Sequence, residues 1–430
     1  MTHEEQIAKN QHISDTKRKT VERHQSMSCK TFDVKVQENA LSARQREALH
    51  RIFLEQKWYK NFILAWSEQS EDNKISQFDT KQTAITKKDK DMNDVPVTIQ
   101  YLTAQSRQCL VSRMLSNMKT IKALTKAKKQ RGGRLRFSSE ETIIDLKQYG
   151  TSHKILSPNR IRIAGIPRAL RVNGLRQFIG IEGIEFANAR LIRRATGYYV
   201  QFVCYVPKDA RCNNENNGTI IGVDFGCETS FTLSDGKKID VKLRESDRLR
   251  RLQRELSRKV KGSGNFWRCV GKIRKEYQRL SNQRDDIARK IVAMLTSYDV
   301  CVIQDEQIKG WHKGGHGKAV QHSILGRVKV KLLESENVIV LNRFAPTTKL
   351  CTSCGQIHDE LTQRDRTFVC DCGVRVDRDV HAAQNMVWFY ENNVGVGRTD
   401  VKRVEMRAMI EEAVHLQDQP ESVKHEATTS

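Results

Sequence analysis

Four cysteines in two close pairs, Cys351-Thr-Ser-Cys354-Gly and Cys370-Asp-Cys372-Gly, constrain this chain more than any other feature of its sequence. Tetrahedral Zn²⁺ binds four thiolates at about 2.3 Å, and two tight turns that each offer two thiolates can meet at one such point. The spacing therefore predicts a zinc ribbon held by Cys351, Cys354, Cys370 and Cys372. The second pair is one residue shorter than the first and demands a tighter knuckle. A closed site of four cysteines leaves no open position, so its role is structural. The other seven of the 11 cysteines (Cys29, Cys109, Cys204, Cys212, Cys227, Cys269 and Cys301) stand singly and read as core or surface thiols. Met1 to Ser28 is polar and charged and lacks an apolar signal core, so a disulfide framework is not expected.

The chain has 430 residues, enough for about two to four compact units. No apolar run approaches the roughly 20 residues that cross a bilayer, which predicts no membrane partner and a cytoplasmic, nucleoid-associated address. The formal net charge of +24 attracts polyanions. No acid occurs from Val95 through Ser139, where Arg107, Arg113, Lys119, Lys122, Lys126, Lys128, Lys129, Arg131, Arg134 and Arg136 fall. From Lys242 to Lys290, 17 basic residues face 6 acids. One such run is often a solvated helix face; two long one-sided runs in one chain point to phosphate.

Periodicity divides the chain into an α+β half and an α/β half. A polar arm is expected over 1–30, then a strand over Thr31 to Val36 and helical spacing over Leu41 to Leu64. Ser67 to Asn93 reads as a linker, and Leu102 to Lys126 as a second helical stretch ended near Gly132-Gly133. Short β-type runs follow at Ile143 to Leu146, Ile161 to Ile163, Phe178 to Ile181, Ala189 to Ile192 and Tyr198 to Val206, suggesting a small barrel or open sheet. The boundary falls in the polar stretch Pro207 to Gly218. Beyond it come strands at Thr219 to Val223 and Ser230 to Leu233 and a Ser234-Asp235-Gly236 turn. A helix pair over Lys242 to Ser297 is broken at Gly262-Ser263-Gly264, and a strand at Val300 to Gln304 precedes a helix at Ala319 to Ser335. A strand at Val338 to Leu341 and a helix at Val380 to Tyr390 complete an RNase H-like element order. An amphipathic segment near Val401 to Leu416 leads into a polar tail expected to be disordered.

Acids close three of these elements. Asp224 ends the first strand of the second half, Val302-Ile303-Gln304-Asp305-Glu306 runs a strand into two carboxylates, and Asp377-Arg378-Asp379 opens the last helix, where a helix N-terminus favours anions. Each alone is ordinary capping chemistry. Three such ends in one RNase H-like order suit a two-metal nuclease, in which carboxylates from separate segments hold two Mg²⁺ about 4 Å apart.

Together, Ile221-Gly-Val-Asp224-Phe-Gly, Gln304-Asp305-Glu306 with Ile308-Lys309-Gly310-Trp311, the four paired cysteines and Asp377-Arg-Asp379-Val-His-Ala-Ala-Gln-Asn385 resemble the transposon-encoded TnpB nucleases and the compact type V CRISPR effectors. The motifs cover Thr219 to Tyr390 in the family's order, with the ribbon between the second and third acids; the N-terminal half matches only in general plan. The resemblance implies a β-barrel domain over 31–215 with a helical recognition segment at about 41–130, and a RuvC domain over 216–347 and 374–391. The ribbon takes 348–373 and a tail 392–430. It also implies a guide RNA, a target DNA and one Mg²⁺-dependent RuvC site, and leaves open a homodimer on one RNA. Asp224 matches the first catalytic acid and Asp379 the third. The family's second acid falls on Gln304, which carries no charge, so Glu306, expected on the same face of an extended strand, is assigned the role. His381 stands where the family has Asn.

The leading expectation is an RNA-guided DNA endonuclease. The alternative suggested by Gln304 is a nuclease-inactive RNA-guided protein acting by target occupancy. A cut-and-paste transposase is disfavoured by the ribbon's position between the acidic motifs. The two basic runs make a prediction independent of catalysis. Each phosphate contact adds roughly 0.9 to the log–log salt slope on B-form DNA, so affinity should fall steeply with salt; a titration that stays flat over a few-fold rise would contradict it.

Overall fold

A nearly continuous apolar and aromatic run through Tyr198 to Val206, with burial alternating along it, produces the longest strand among the described residues, and the N-terminal unit is built around it. The computed structural model describes residues 3–70, 72–89, 91–127, 132–208, 218–241, 243, 245–308, 310–311, 323–362, 364–394, 409–410 and 413–414. The chain divides into two units, Met1–Cys212 and Asn213–Ser430.

The first unit opens with helix α1 (His3–Gln25) and strand β1 (Met27–Val36). The arm expected over 1–30 is thus a helix from His3, followed by a strand that begins at Met27 rather than Thr31. Its side chains gave no apolar stripe because the helix stays largely exposed. It is pinned at its end, where His24 stacks on Tyr205 at 3.6 Å and Arg23 and His24 both meet Glu185. Helix α2 (Ala43–Glu68) starts at a capping box between Ser42 and Gln45. Next come β2 (Ala84–Lys88), β3 (Asp94–Thr98) and helix α3 (Ala104–Lys126), capped by Thr103. The linker expected over Ser67 to Asn93 therefore contains half of a β2–β3 hairpin. It was hidden because only Ile85 of its first strand is buried.

Strands β4 (Ile143–Leu146), β5 (His153–Ser157), β6 (Arg160–Ile163), β7 (Leu170–Asn173), β8 (Glu185–Arg194) and β9 (Gly197–Pro207) complete the unit. With β1 they form a seven-stranded, nearly closed sheet in the order β4-β8-β9-β1-β7-β6-β5, and a bridge between Tyr149 and His153 lies near its free edges. The strand expected at Phe178 to Ile181 is absent. After a 3-10 turn at Leu175–Gln177, Phe178 is fully buried and stacks on Phe32 at 4.7 Å, so this apolar run fills the sheet's interior instead of pairing. Strands β5 and β7 were not among the expected β-type runs.

The second unit has a five-stranded sheet in the order β12-β11-β10-β13-β14. Its strands are β10 (Ile220–Phe225), β11 (Phe231–Leu233), β12 (Lys238–Ile239), β13 (Val300–Gln304) and β14 (Val338–Leu341). The first three are antiparallel, and β10, β13 and β14 run parallel. Helices α4 (Asp247–Ser257) and α5 (Gly264–Leu295) lie between β12 and β13 in sequence, and α6 (Leu325–Leu332) between β13 and β14. The helix expected from Ala319 thus begins at Leu325, and 319–322 lie outside the described residues. The small hairpin of β15 (Thr367–Val369) and β16 (Arg375–Asp377) runs directly into helix α7 (Arg378–Glu391).

Both faces of this sheet are covered, which is why β10 and β13 read as continuous apolar runs. On one face Ile221, Val223, Cys301 and Ile303 pack against Ala288, Ile291 and Leu295 of α5 and Val328 of α6. On the other, Val302 and Leu341 pack with Met386 and Phe389 of α7. Of the tail, Ile410 and Ala413 are buried in that second core. Met409 and Val414 pack partly buried against it, while the other residues of the amphipathic segment over Val401 to Leu416 and the polar end lie outside the described residues, as do 209–217 of the boundary stretch.

Candidate functional site

Helix α7 approaches β10 at a glycine. A β-carbon on Gly222 would lie 2.0 Å from the Ala383 carbonyl oxygen and 3.2 Å from Val387, so the helix backbone rests directly on the strand. Asp224 is two residues beyond Gly222 and points to the same face. Asp379 is four residues before Ala383, one turn toward the helix N-terminus. This contact sets the two acids near each other. Burial first, then the charges of Asp379 and Glu306, push the Asp224 carboxyl up to about 7, against the pull of Arg378. Glu306, half-buried, is also raised, chiefly by burial. Three hard oxygen donors from three chain segments thus share one field, with Arg378 the neighbouring cation on Asp224 and Asp379. Such a donor set suits Mg²⁺. Its oxygens are not drawn as close as the four thiols: among the described residues those cysteines are the cluster whose ligand atoms lie within 4.8 Å of one another.

The neighbouring residues of each acidic motif have other partners. Strand β13 ends at Gln304, and the Glu306 N–H donates to the Gln304 carbonyl at 2.8 Å, so the chain turns there instead of staying extended as expected. The Gln304 amide donates to the carbonyls of Asn342, Arg343 and Ala345, while its oxygen accepts from Thr347. Asp305 is ion-paired with Lys329 at 3.0 Å and Arg343 at 2.5 Å, and the hydrogen bond from Lys329 leads in holding it below the usual carboxylate range. Lys329 also donates to the Glu306 carbonyl, fixing the turn. Asp377 caps α7 through the N–H groups of Asp379 and Val380 and pairs with Lys238. Lys329, Arg343, Arg378 and Gly222 were not singled out from the sequence. Only Gly222 left a signal there, a glycine inside an apolar strand, which marks close approach of another backbone.

The four cysteines converge despite the short second pair. Cys351 and Cys372 stand 3.5 Å apart, as do Cys354 and Cys370. Sulfurs around a tetrahedral zinc are about 3.8 Å apart, so the set fits that ion. The second knuckle is the turn of the β15–β16 hairpin, with Gly373 at φ 96° taking the left-handed conformation the tight turn needs. Burial pushes the Cys351 thiol up, while the Val374 backbone N–H leads in pulling Cys372 down. His381 on α7 stacks on Phe368 of β15 at 3.8 Å and bonds the Leu350 carbonyl at 2.7 Å, next to the first knuckle. Asn385 donates to the carbonyls of Thr347 and Leu350.

The basic runs are partly structural. Arg107 is buried and donates to the Thr80 and Leu102 carbonyls, and Arg113 pairs with Asp145 and Glu141. Lys119, Lys122, Lys126, Arg134 and Arg136 are exposed, whereas Lys128, Lys129 and Arg131 lie outside the described residues. On α4, α5 and the turn between them, Arg251, Arg258, Lys261, Lys272, Lys275 and Arg279 are exposed; Lys242 and Arg244 lie outside the described residues.

Residues 327–386 match a family model described as the Cas12f1-like TNB domain, and residues 201–308 match OrfB_IS605, described as "Probable transposase". A Streptomyces pristinaespiralis protein provisionally named an RNA-guided DNA endonuclease is 30% identical over 218 residues, covering 48% of this chain and 53% of that protein. The provisionally named RNA-guided DNA endonuclease InsQ of Escherichia coli is 27% identical over 196 residues, covering 40% and 49%. The chain spans about half the length of the curated relatives it matches. A cryo-EM structure of the Cas12f1-sgRNA-target DNA complex is 12% identical with a TM-score of 0.41, covering 80% of each chain. The family models and curated relatives bear out the resemblance to TnpB nucleases and type V effectors. The OrfB_IS605 match contains Asp224 and Glu306, and the TNB match contains all four paired cysteines and Asp379. Among the described residues no helix is long and apolar enough to cross a membrane.

Two predictions follow from this geometry. Gln304→Glu places a carboxylate against three carbonyl oxygens, so it should cost about 3 kcal/mol in urea unfolding; an unchanged midpoint would show that the amide network is dispensable. Purified protein should contain about one zinc by elemental analysis, and replacing Cys351 and Cys354 by Ser should release it and loosen the C-terminal unit. Well-folded protein that is metal-free after mild purification would defeat this second expectation.

Proposed function

We propose that this chain is an RNA-guided DNA endonuclease that hydrolyses phosphodiester bonds at a single site formed by Asp224, Glu306 and Asp379. The observation that carries the reading is the convergence of carboxylates from three separate segments on one buried position: burial first, then the charges of Asp379 and Glu306, raise Asp224 to about 7. Carboxylates held together take up either a proton or a cation, and a pair of Mg²⁺ ions bound there would supply charge neutralisation and an activated water.

The sheet order β12-β11-β10-β13-β14, with one antiparallel side and helix α7 closing one face, supports an RNase H-like RuvC domain over 216–347 and 374–391. The ribbon over 348–373 interrupts it, and the nearly closed sheet of the first unit corresponds to a barrel domain over 31–215. Within the site, Asp224 is held by the central strand and Asp379 by the first turn of α7. Glu306 is presented by the turn that Lys329 fixes. Arg378, which donates to the Thr362 carbonyl of the ribbon region, keeps a positive charge beside Asp379. The exposed cations of α3 to α5 would hold phosphates of a guide RNA and target DNA without any part in bond cleavage.

The occupancy reading depended on Gln304. That residue's amide is committed to the 342–347 loop, while a carboxylate two positions on reaches the field of Asp224, so the missing charge is supplied nearby.

Protein loaded with its co-purifying RNA should cut matched DNA only with a divalent cation. Asp224→Ala, Glu306→Ala and Asp379→Ala should abolish cutting and keep DNA binding within a few-fold. Asp305→Ala and Asp377→Ala, which lose supporting ion pairs, should retain activity reduced by about ten- to a hundredfold. Normal cutting by Glu306→Ala with a dead Asp305→Ala would shift the second acid by one residue. Guided binding by the unmodified protein without metal-dependent cutting would establish occupancy instead.

A further inference from the structure

The hairpin of α4 and α5 carries near its tip an exposed tryptophan that the cleavage chemistry does not use. This hairpin has a core of its own, in which Leu249 and Leu252 meet Cys269, Ile273 and Leu280. Those residues of α5, with Glu276, form its buried face, and at about 100° per residue Trp267 points directly away from them. Trp267 is 58% exposed, and Phe266 stands perpendicular to it at a centroid distance of 5.3 Å, the one aromatic ring beside it among the described residues. Along the helix it lies about 36 Å before Ile291, which packs under the five-stranded sheet.

Single exposed apolar residues are ordinary, but the residue one turn further on is not. Gly271 shares the face of Trp267 in the interior of α5, where glycine is a poor helix former. Packing does not demand it, since a β-carbon at 271 would meet nothing within 4 Å. Helical side chains lean over the preceding turn, so a side chain at 271 would lie toward the Trp267 ring. The glycine keeps that ring open at a cost to the helix.

The charge around the ring selects its ligand. Residues 256–275 hold seven cations and no acid, and Arg258, Lys261, Arg268, Lys272 and Lys275 are exposed. An open aromatic face among cations suits a nucleobase stacked on the ring while its flanking phosphates meet the ammonium and guanidinium groups. A second copy of this chain, itself at +24, would be repelled. The stretch also offers no carboxylate to a 2′-hydroxyl, the group that marks RNA.

We infer that Trp267 stacks an unpaired base of the DNA strand displaced when the guide pairs with its target. The inference rests on the reading that the chain is RNA-guided, because pairing with one DNA strand leaves the other with its bases open.

Full-length protein loaded with its co-purifying RNA is titrated at fixed salt, by fluorescence anisotropy, with labelled oligothymidine and with an abasic strand of the same length. Trp267→Ala should weaken oligothymidine binding about tenfold and leave the abasic strand, which keeps the phosphates, bound as before. Gly271→Leu should weaken oligothymidine binding severalfold without lowering the unfolding midpoint, because the helix gains and nothing is crowded. To identify the strand, 5-iodouracil is placed in turn along the displaced strand, the target strand and the guide RNA of a matched duplex bound by the Asp224→Ala protein. On irradiation, cross-links to the peptide that carries Trp267 should come from the displaced strand. The inference alone is overturned by unchanged oligothymidine binding in either variant, an equal loss on the abasic strand, a lowered midpoint for Gly271→Leu, or no cross-link from the displaced strand. It is likewise overturned if the unmodified protein binds the matched duplex but not oligothymidine. Failure of the unmodified protein to bind the matched duplex overturns the guided reading and the inference with it.

Discussion

The contact between Gly222 and Ala383 is the constraint on which the C-terminal unit depends. With no β-carbon on the strand, the α7 backbone descends until a carbonyl oxygen occupies the space a side chain would fill. That depth brings the first turn of the helix level with the end of β10, so Asp224 and Asp379 fall within reach of each other's charge. Any larger residue at 222 would lift the helix by more than the sub-ångström tolerance of a packed core. The parallel ladder from Ile220 with Val300 to Val223 with Ile303 does the same for the second strand, ending β13 beside β10 so that the turn after Gln304 can carry Glu306 inward.

The ribbon belongs to this arrangement. Strand β16 ends at Asp377, which is also the cap of α7, so no linker separates the hairpin of the second cysteine pair from the helix that carries Asp379. The first knuckle grips the same helix through Leu350, whose carbonyl is bonded by both His381 and Asn385. His381 adds its stack on Phe368, so an imidazole in place of the family's Asn bridges both halves of the ribbon to α7. A metal ion bound by the four cysteines would therefore also order the start of α7.

Charge is apportioned unevenly around the site. Asp305 and Asp377 are each satisfied by cations or backbone N–H groups and stay in the ordinary carboxylate state. For Asp224 and Glu306 burial outweighs the nearby cations, Arg378 for the first and Lys329 and Arg343 for the second, and both are raised. Neighbouring acids in one motif thus divide between holding the backbone and facing the field of the site, a division that acids alike in type do not announce in sequence.

The sequence by itself determined the elements whose information is local. Paired cysteines with trailing glycines, apolar runs ending in Asp224 and Gln304, and the acids that open α7 are all set by neighbours a few residues apart, and the four cysteines do converge into a cluster that could hold a metal ion. Two long one-sided basic stretches were equally plain, though their composition could not show that Arg107 and Arg113 are spent inside the fold. Elements without a local signature were misread. Helix α1 has no apolar stripe, the β2–β3 hairpin buries little of its first strand, and Phe178 is apolar because it fills the sheet's interior, not because it pairs. Only the tertiary structure decided which of Gln304, Asp305 and Glu306 faces Asp224. That choice is made by Lys329, Arg343 and the carbonyls of 342–345, groups 23 to 41 residues away in sequence. A side chain's direction at a strand end depends on partners brought there by the fold, and periodicity carries no information about them.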